Sequence, residues 1–345
     1  MKHSPTVVYV GGTGRTGSTT VDQLAGQVPG WFSAGEMGWF WQLAVGENGL
    51  CPCGKSVPDC EVWSAVLNRV VTQRQHNGSL DPQVIAAEMT EARRTFHSAH
   101  LPAMVLPGFT RRRLAQMTDY LDTQRALYRA IEDVTGAAVI VDSAKEPHYA
   151  FLLRDGVGVN LRFVHLVRDP RAVGFSWSRR KLETGLGGRR EMESRGVLRT
   201  SAYYLVSNIA AELLWRRRRN EYAFVRYEDF VADPTGVLDA IVGFAGDTRP
   251  EARLPDPGPD GGWALDPAST HTAWGNPDRI GRTRIRIRED GAWRDGLSTP
   301  RAWLLTLFNL PLVWRYGYPL RPGGHVAPLP RSRRLRRSMI GRPHR

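Results

Sequence analysis

Long apolar runs are missing from this chain. No stretch of its 345 residues approaches 18 apolar positions free of charge, so no membrane-spanning helix is expected. Cysteine is scarce: three residues cannot build a dense disulfide framework, and a reducing, cytoplasmic setting is the expectation. A signal-peptide core is missing too, because MKHSPTVVYVGGTG runs straight into a strand-like segment. There is no internal repeat. Acids are absent from Arg331 to Arg345, a stretch with seven Arg. Seven of the thirteen net positive charges therefore lie in that tail and six in residues 1–330. What is present, 41% hydrophobic and 9% aromatic residues, excludes disorder throughout and suits a packed core.

Apolar periodicity sets out the elements. Thr6–Val10, Ala138–Val141, Leu161–Val167 and Tyr222–Arg226 read as short buried strands. Helical spacing recurs over 18–27, 61–75, 82–99, 111–134, 170–181 and 197–219. Asp233-Pro234 opens another helix as N-cap and first-turn proline. Trp303–Tyr318 reads as an apolar helix interrupted at Pro311. Residues 28–60, rich in Gly, Pro, Trp and Cys, read as irregular with short helical pieces, and 185–196 as a polar loop. Strands alternating with helices predict an α/β fold, a central parallel sheet flanked by helices. One domain over 1–320 is expected, then a basic, disordered tail over 321–345.

VVYVGGTGRTGSTT is a strand, a Gly-rich turn and a helix start. That order aims backbone N–H groups and a helix dipole at an anion. Gly12-x-Gly14-x-x-Gly17 fits a dinucleotide fingerprint, which would make the protein an NAD(P)-binding reductase. That reading needs a second strand ending in an acid. Glu36 stands at nearly the right distance, but Trp31-Phe32 reads as too short for the strand. Gly12-x-x-x-x-Gly17-Ser18-Thr19 fits a phosphate loop, except that Ser18 stands where the Lys belongs. The loop's one cation is Arg15.

A second anion signal lies in FVHLVRDPRAVGFSWSRRK. A strand ends at Val167, Arg168 follows at the carboxyl edge where open α/β sheets place ligands, and a helix carries Ser176 and Arg180. These last two share a helix face at four-residue spacing. Two guanidinium groups and a hydroxyl suit a phosphate. An ordinary Arg168–Asp169 pair with Ser176 on a solvated face is the alternative.

GRTGST resembles the 5′-phosphosulfate loop of sulfotransferases, and RDPRAVGFSWSRR resembles their 3′-phosphate motif. VDSAKEPH, VRYEDFVADP, CPCGKSVPDCEVW and the GNP-to-Trp block also look like features of that family. The resemblance implies a P-loop NTPase-like three-layer fold and the donor 3′-phosphoadenosine-5′-phosphosulfate (PAPS), with 3′,5′-ADP as product. It implies that Arg15, Thr16, Gly17, Ser18 and Thr19 hold the phosphosulfate, and that Arg168, Ser176 and Arg180 hold the 3′-phosphate. Tyr227 would contact the nucleotide, and Arg284, in the RIRIR alternation, would lie on a late basic loop closing over it. Lys145 would act on the sulfuryl group in the transition state. Glu36, 21 residues after Arg15, would be the base, with His165 as its rival. Ala144 departs from the family's second Ser, and Arg15 stands where cytosolic members carry Lys.

No metal is expected, since Arg and Lys can neutralise the charge. Cys51, Cys53 and Cys60 could bind zinc if a His or water completed the tetrahedron, but no fourth ligand sits at diagnostic spacing, so a reduced structural turn or one disulfide is expected. Trp31, Phe32, Trp39, Phe40 and Trp41 divide between core and an acceptor pocket. The expected partner is an acceptor with a hydroxyl group: a glycan, lipid or small metabolite. The basic tail, following an apolar helix, could touch anionic lipid. It lacks the aromatic interleaving of a nucleic-acid binder, so no specific nucleic acid is expected. A basic nucleic-acid or membrane adaptor is the competing non-enzymatic reading.

Overall fold

A computed structural model describes residues 4–74, 81–97, 100–104, 108–179, 182, 184–186, 191, 193–324, 326–329 and 335. Five parallel strands form the main sheet: β1 (Thr6–Gly12), β2 (Trp31–Gly35), β3 (Val139–Lys145), β4 (Asn160–Val167) and β5 (Tyr222–Arg226), in the order β2-β3-β1-β4-β5. Alternation along each strand feeds two cores. On β1, Val7 and Tyr9 enter one face, packed by α2 (Glu61–Arg74) and by the Thr118–Thr135 and Val197–Trp215 helices. Val8 and Val10 enter the other, packed by α1 (Ser18–Ala25) and the Pro234–Ala245 helix. The expected three-layer α/β architecture is thus present. Phe163 anchors the first core, stacked 4.8 Å from Trp215 and 5.7 Å from Tyr9.

β2 is the main departure from the sequence reading. WFSAG carries only two large apolar residues, too few to show a strand by pattern. It forms because Trp31, Phe32 and Ser33 pair in register with Val139, Ile140 and Val141. The strand that a dinucleotide site requires is therefore present, and the sequence objection to that reading falls. The topology supplies a different one. β3 lies between β1 and β2, whereas a dinucleotide fold sets its second strand beside its first.

Other boundaries move. β3 runs on to Lys145. The helix from Pro170 stops at Ser178, with Arg179 already extended, and Arg180 lies outside the described residues. The Val197 helix ends at Trp215, before the Arg run. The apolar C-terminal helix breaks at Asn309 into Thr299–Phe308 and Leu310–Tyr316. Pro311 then sits in a first turn, where its missing N–H costs nothing. RIRIR contributes only Arg284–Ile285 to a two-stranded ladder with Trp263–Ala264. Within the expected tail, Val326 is buried, and the Ala327 carbonyl accepts from Arg226 at 2.9 Å. Most of the Arg-rich end lies outside the described residues. No helix among the described residues is long and apolar enough to cross a membrane.

Candidate functional site

Three neighbouring strands end at one edge. Gly11 of β1 registers with Lys145 of β3, and Gly35 of β2 with Asp142 of β3. At spacings of about 5 Å between strands, the chains leaving β1, β2 and β3 must meet. They line one cavity of about 700 Å³, whose wall includes Arg15, Gly17, Ser18, Thr19, Glu36 and Lys145.

The glycine turn fits tightly against its surroundings. Gly17 has φ +86°, and a Cβ there would collide with the Tyr227 ring. α1 begins at the next residue and presents its N-terminal N–H groups to the turn. Arg15 (φ 69°) and Lys145 (φ 72°) are also left-handed, and Asn48 is the one other non-glycine residue of this kind among those described. Such conformations cost on the order of 1–2 kcal/mol each, so the surrounding structure holds them in place. Lys145 pairs directly with Glu36, and both are partly buried. The Glu36 N–H donates to the Trp274 carbonyl at 2.9 Å.

Two buried carboxylates support this edge. Asp142 accepts from the Tyr128 hydroxyl at 2.6 Å, the Ala144 N–H at 2.9 Å and the Met37 N–H at 3.3 Å. It thereby holds the residue after Glu36 and the residue before Lys145. Asp22, on α1, accepts from Ser33 at 2.8 Å and Ser143 at 2.9 Å, joining the loop helix to β2 and β3. Burial pushes each carboxyl up to about 7, against the opposing pull of these hydrogen bonds.

The remaining expected residues divide. Thr16 is buried, and its hydroxyl donates to the Thr13 carbonyl at 3.0 Å, so its side chain belongs to the turn and not to the cavity wall. Arg168 and Tyr227 line a smaller neighbouring cavity of about 150 Å³. There Arg168 pairs with Asp290 at 2.7 Å, donates to the Arg15 carbonyl at 3.3 Å and lies 4.7 Å over the Tyr227 ring. Asp169 instead pairs with Arg171. Ser176 is half-buried and lines neither cavity. Arg284 is exposed, pairs with Asp260 and lines neither. His165 is fully buried between the Tyr222 hydroxyl at 2.9 Å and Asn208 Oδ1 at 2.8 Å. Burial lowers it to about 4, so it is a neutral core residue, packed behind Gly12 and not itself part of the cavity wall. Trp31, Phe32, Phe40 and Trp41 are core, while Trp39 faces the cavity.

Several wall residues gave no sequence signal. Tyr203, on the Val197–Trp215 helix, accepts from the Gly14 N–H at 3.2 Å. Arg195 stacks 4.1 Å over Trp177 and 4.5 Å over Tyr203, and Arg15 lies 4.8 Å from the same Trp177 ring. Glu146, beside Lys145, pairs with Arg93 and lines the wall. Its position directly after a strand end was the one clue available. His271, distant in sequence, joins the three cysteines.

The sequence profile of the sulfotransferase family matches residues 5–251. Among solved structures, the chain is similar to the sulfotransferase domain of the Synechococcus PCC 7002 olefin synthase. The two are 21% identical, with 92% of this chain and 97% of that one covered and a TM-score of 0.52. It is also similar to the sulfotransferase domain from the curacin biosynthetic pathway (15% identity, 92% and 99% covered, TM-score 0.45) and to sulfotransferase STF9 from Mycobacterium avium (13%, 94% and 79%, 0.45). Among curated proteins, none matches the chain.

The raised carboxyl at Asp22 predicts a pH dependence. The folded chain keeps this proton up to about pH 7, and the unfolded chain loses it near its ordinary 3.8. Stability therefore falls as pH rises through that window. Asp22→Asn should reduce the loss of urea stability between about pH 5 and about pH 8 by up to a few kcal/mol. An unchanged pH profile in the variant would show that Asp22 does not titrate there.

Proposed function

The chain belongs to the sulfotransferase family, and from that premise we propose that the cavity binds PAPS and passes its sulfuryl group to an acceptor hydroxyl. One observation carries the reading: Arg15, Glu36 and Lys145 share the wall of a single cavity, two of them in left-handed backbone. The residues fit such a donor. About 700 Å³ suits a nucleotide-sized ligand. Gly17 packs directly against the Tyr227 ring, where a Cβ would clash, and this brings the turn up to the residue expected to meet the nucleotide. The buried Trp177 Nε1–H has no hydrogen-bond partner among the described residues, leaving a donor beside Arg15.

When bound, PAPS supplies an activated sulfuryl group whose bond to the 5′-phosphate breaks as 3′,5′-ADP forms. The protein's work is positioning and charge neutralisation. The turn's N–H groups and the α1 N-terminus, with Ser18 and Thr19, hold the anionic end. Arg15 and Lys145 stabilise the charge that develops on the departing phosphate and the transferring group. The Glu36 carboxylate accepts the acceptor's proton as its oxygen attacks in line. Arg168, with Tyr227 beside it, reads the 3′-phosphate from the adjoining cavity. Ser176 and Arg284 line neither cavity and are given no contact with the donor here, and Arg180 lies outside the described residues. The acceptor, whether glycan, lipid or small metabolite, enters past Trp39.

Calorimetry with 3′,5′-ADP, 5′-AMP and NADPH tests the donor. Preference for 3′,5′-ADP is expected, and Arg168→Ala should reduce that preference about tenfold to a hundredfold. Equal binding of 3′,5′-ADP and 5′-AMP, or tighter binding of NADPH, overturns it. For the base, Glu36→Gln should keep 3′,5′-ADP binding. It should lower turnover of a hydroxyl acceptor, found by screening with labelled PAPS, by about 10²–10⁴. Full activity would remove Glu36 from the role.

The tail supports a second reading, peripheral contact with anionic lipid. Trp303, Leu307, Phe308, Leu310 and Trp314 are exposed on the last two helices, just before the Arg-rich segment. Co-sedimentation with phosphatidylserine vesicles at low salt, lost on deleting 331–345, is expected. Equal binding to phosphatidylcholine vesicles rules out the electrostatic contact.

A further inference from the structure

Outside the cavity, one cluster of side chains has no part in sulfuryl transfer. Cys51, Cys53, Cys60 and His271 bring their ligand atoms within 4.8 Å of one another. His271 Nδ1 is 3.2 Å from Cys60 Sγ and 3.6 Å from Cys51 Sγ. We propose that these four residues bind one Zn(II) in a closed, tetrahedral Cys₃His site with a structural role.

The geometry is close to what such an ion needs. With Zn–S of about 2.3 Å and Zn–N of about 2.0–2.1 Å, a tetrahedron has S···N edges of about 3.6 Å and S···S edges of about 3.8 Å. The loop is shaped to converge its sulfurs. The Cys51 N–H donates to the Lys55 carbonyl, and the Gly54 N–H returns to the Cys51 carbonyl, each at 2.9 Å. Gly54 takes φ +87°, which lets the chain reverse there. The Trp63 indole N–H donates to the His271 carbonyl, which fixes the fourth ligand's backbone against α2. A disulfide would account for two of the cysteines and would not call for the third or for a histidine 211 residues away from Cys60. Soft sulfur and imidazole donors select zinc over magnesium or calcium.

The site is a clip between distant segments. Cys60 immediately precedes α2. His271 immediately precedes 272–274, which runs along β2: the Ala273 N–H donates to the Ala34 carbonyl at 3.0 Å, and the Trp274 carbonyl receives the Glu36 N–H. None of the four ligands lines the large cavity. Zinc would thus act by holding the backbone beside Glu36, with all four positions filled by protein. This inference does not depend on the identity of the sulfuryl donor.

The test uses the full chain, purified reduced and without chelator, with metal measured by plasma mass spectrometry. About one zinc per chain is expected. Co(II) exchanged into the site should give the d–d and thiolate charge-transfer bands of a tetrahedral Cys₃His centre. Removing zinc with a chelator should lower Tm by more than about 5 °C, restored by Zn(II) and not by Mg(II). His271→Ala and Cys60→Ser should lower zinc affinity by tenfold or more. The chelator series on the unaltered chain stands even if a variant fails to fold. A chain that neither carries zinc nor takes up Zn(II) or Co(II), or a Cys51–Cys60 disulfide found by non-reducing peptide mapping of the native chain, overturns the proposal. So does zinc that both variants retain with unchanged affinity.

Discussion

Asp142 accepts hydrogen bonds from the backbone on both sides of the Glu36–Lys145 pair, from a position with no access to water. That arrangement constrains the rest of the edge. β2 and β3 must end side by side for one carboxyl to reach both Met37 and Ala144. Asp22 repeats the device one layer over, with α1 on one side and β2 and β3 on the other. A buried carboxyl is costly unless its hydrogen bonds are made. The penalty for misplacing any of these segments is therefore steep, and the cavity wall inherits that rigidity.

The pattern of what was legible follows from the reach of each signal. β1, its turn and α1 are contiguous, and glycine at fixed offsets after an apolar run marks a strand-to-helix turn without help from distant residues. Arg168 was visible for the same reason, directly after a strand end. β2 was not. Ser33, Ala34 and Gly35 give no apolar pattern, and they become a strand only through pairing with β3, more than 100 residues later. Thr16 looked like a ligand from its motif, yet its hydroxyl is committed to the Thr13 carbonyl. The fourth member of the cysteine cluster was invisible because no spacing rule spans from Cys60 to His271.

The charge of the body is more local than its total suggests. Arg168 with Asp290, Arg171 with Asp169, and Arg226 with Asp229 are all matched at hydrogen-bonding distance. Buried guanidinium groups are tolerable only in such company. The first of these pairs faces a cavity, while the Arg171 and Arg226 pairs are almost wholly enclosed. Similar residues thus serve as interior struts in two places and line a cavity in the third, and neighbouring geometry alone separates the settings.

β2 is an edge strand of the main sheet, and its outer side is covered by 272–274, through the Gly35–Trp274 bridge and the Ala273-to-Ala34 hydrogen bond. The stretch that carries the family likeness, 5–251, stops short of that cover. A fragment trimmed to the family boundary would leave a row of backbone donors and acceptors bare, a template for pairing with another chain. Residues 272–274 are thus a seal on the sheet, and the smallest unit with that edge covered is longer than the stretch that carries the family likeness.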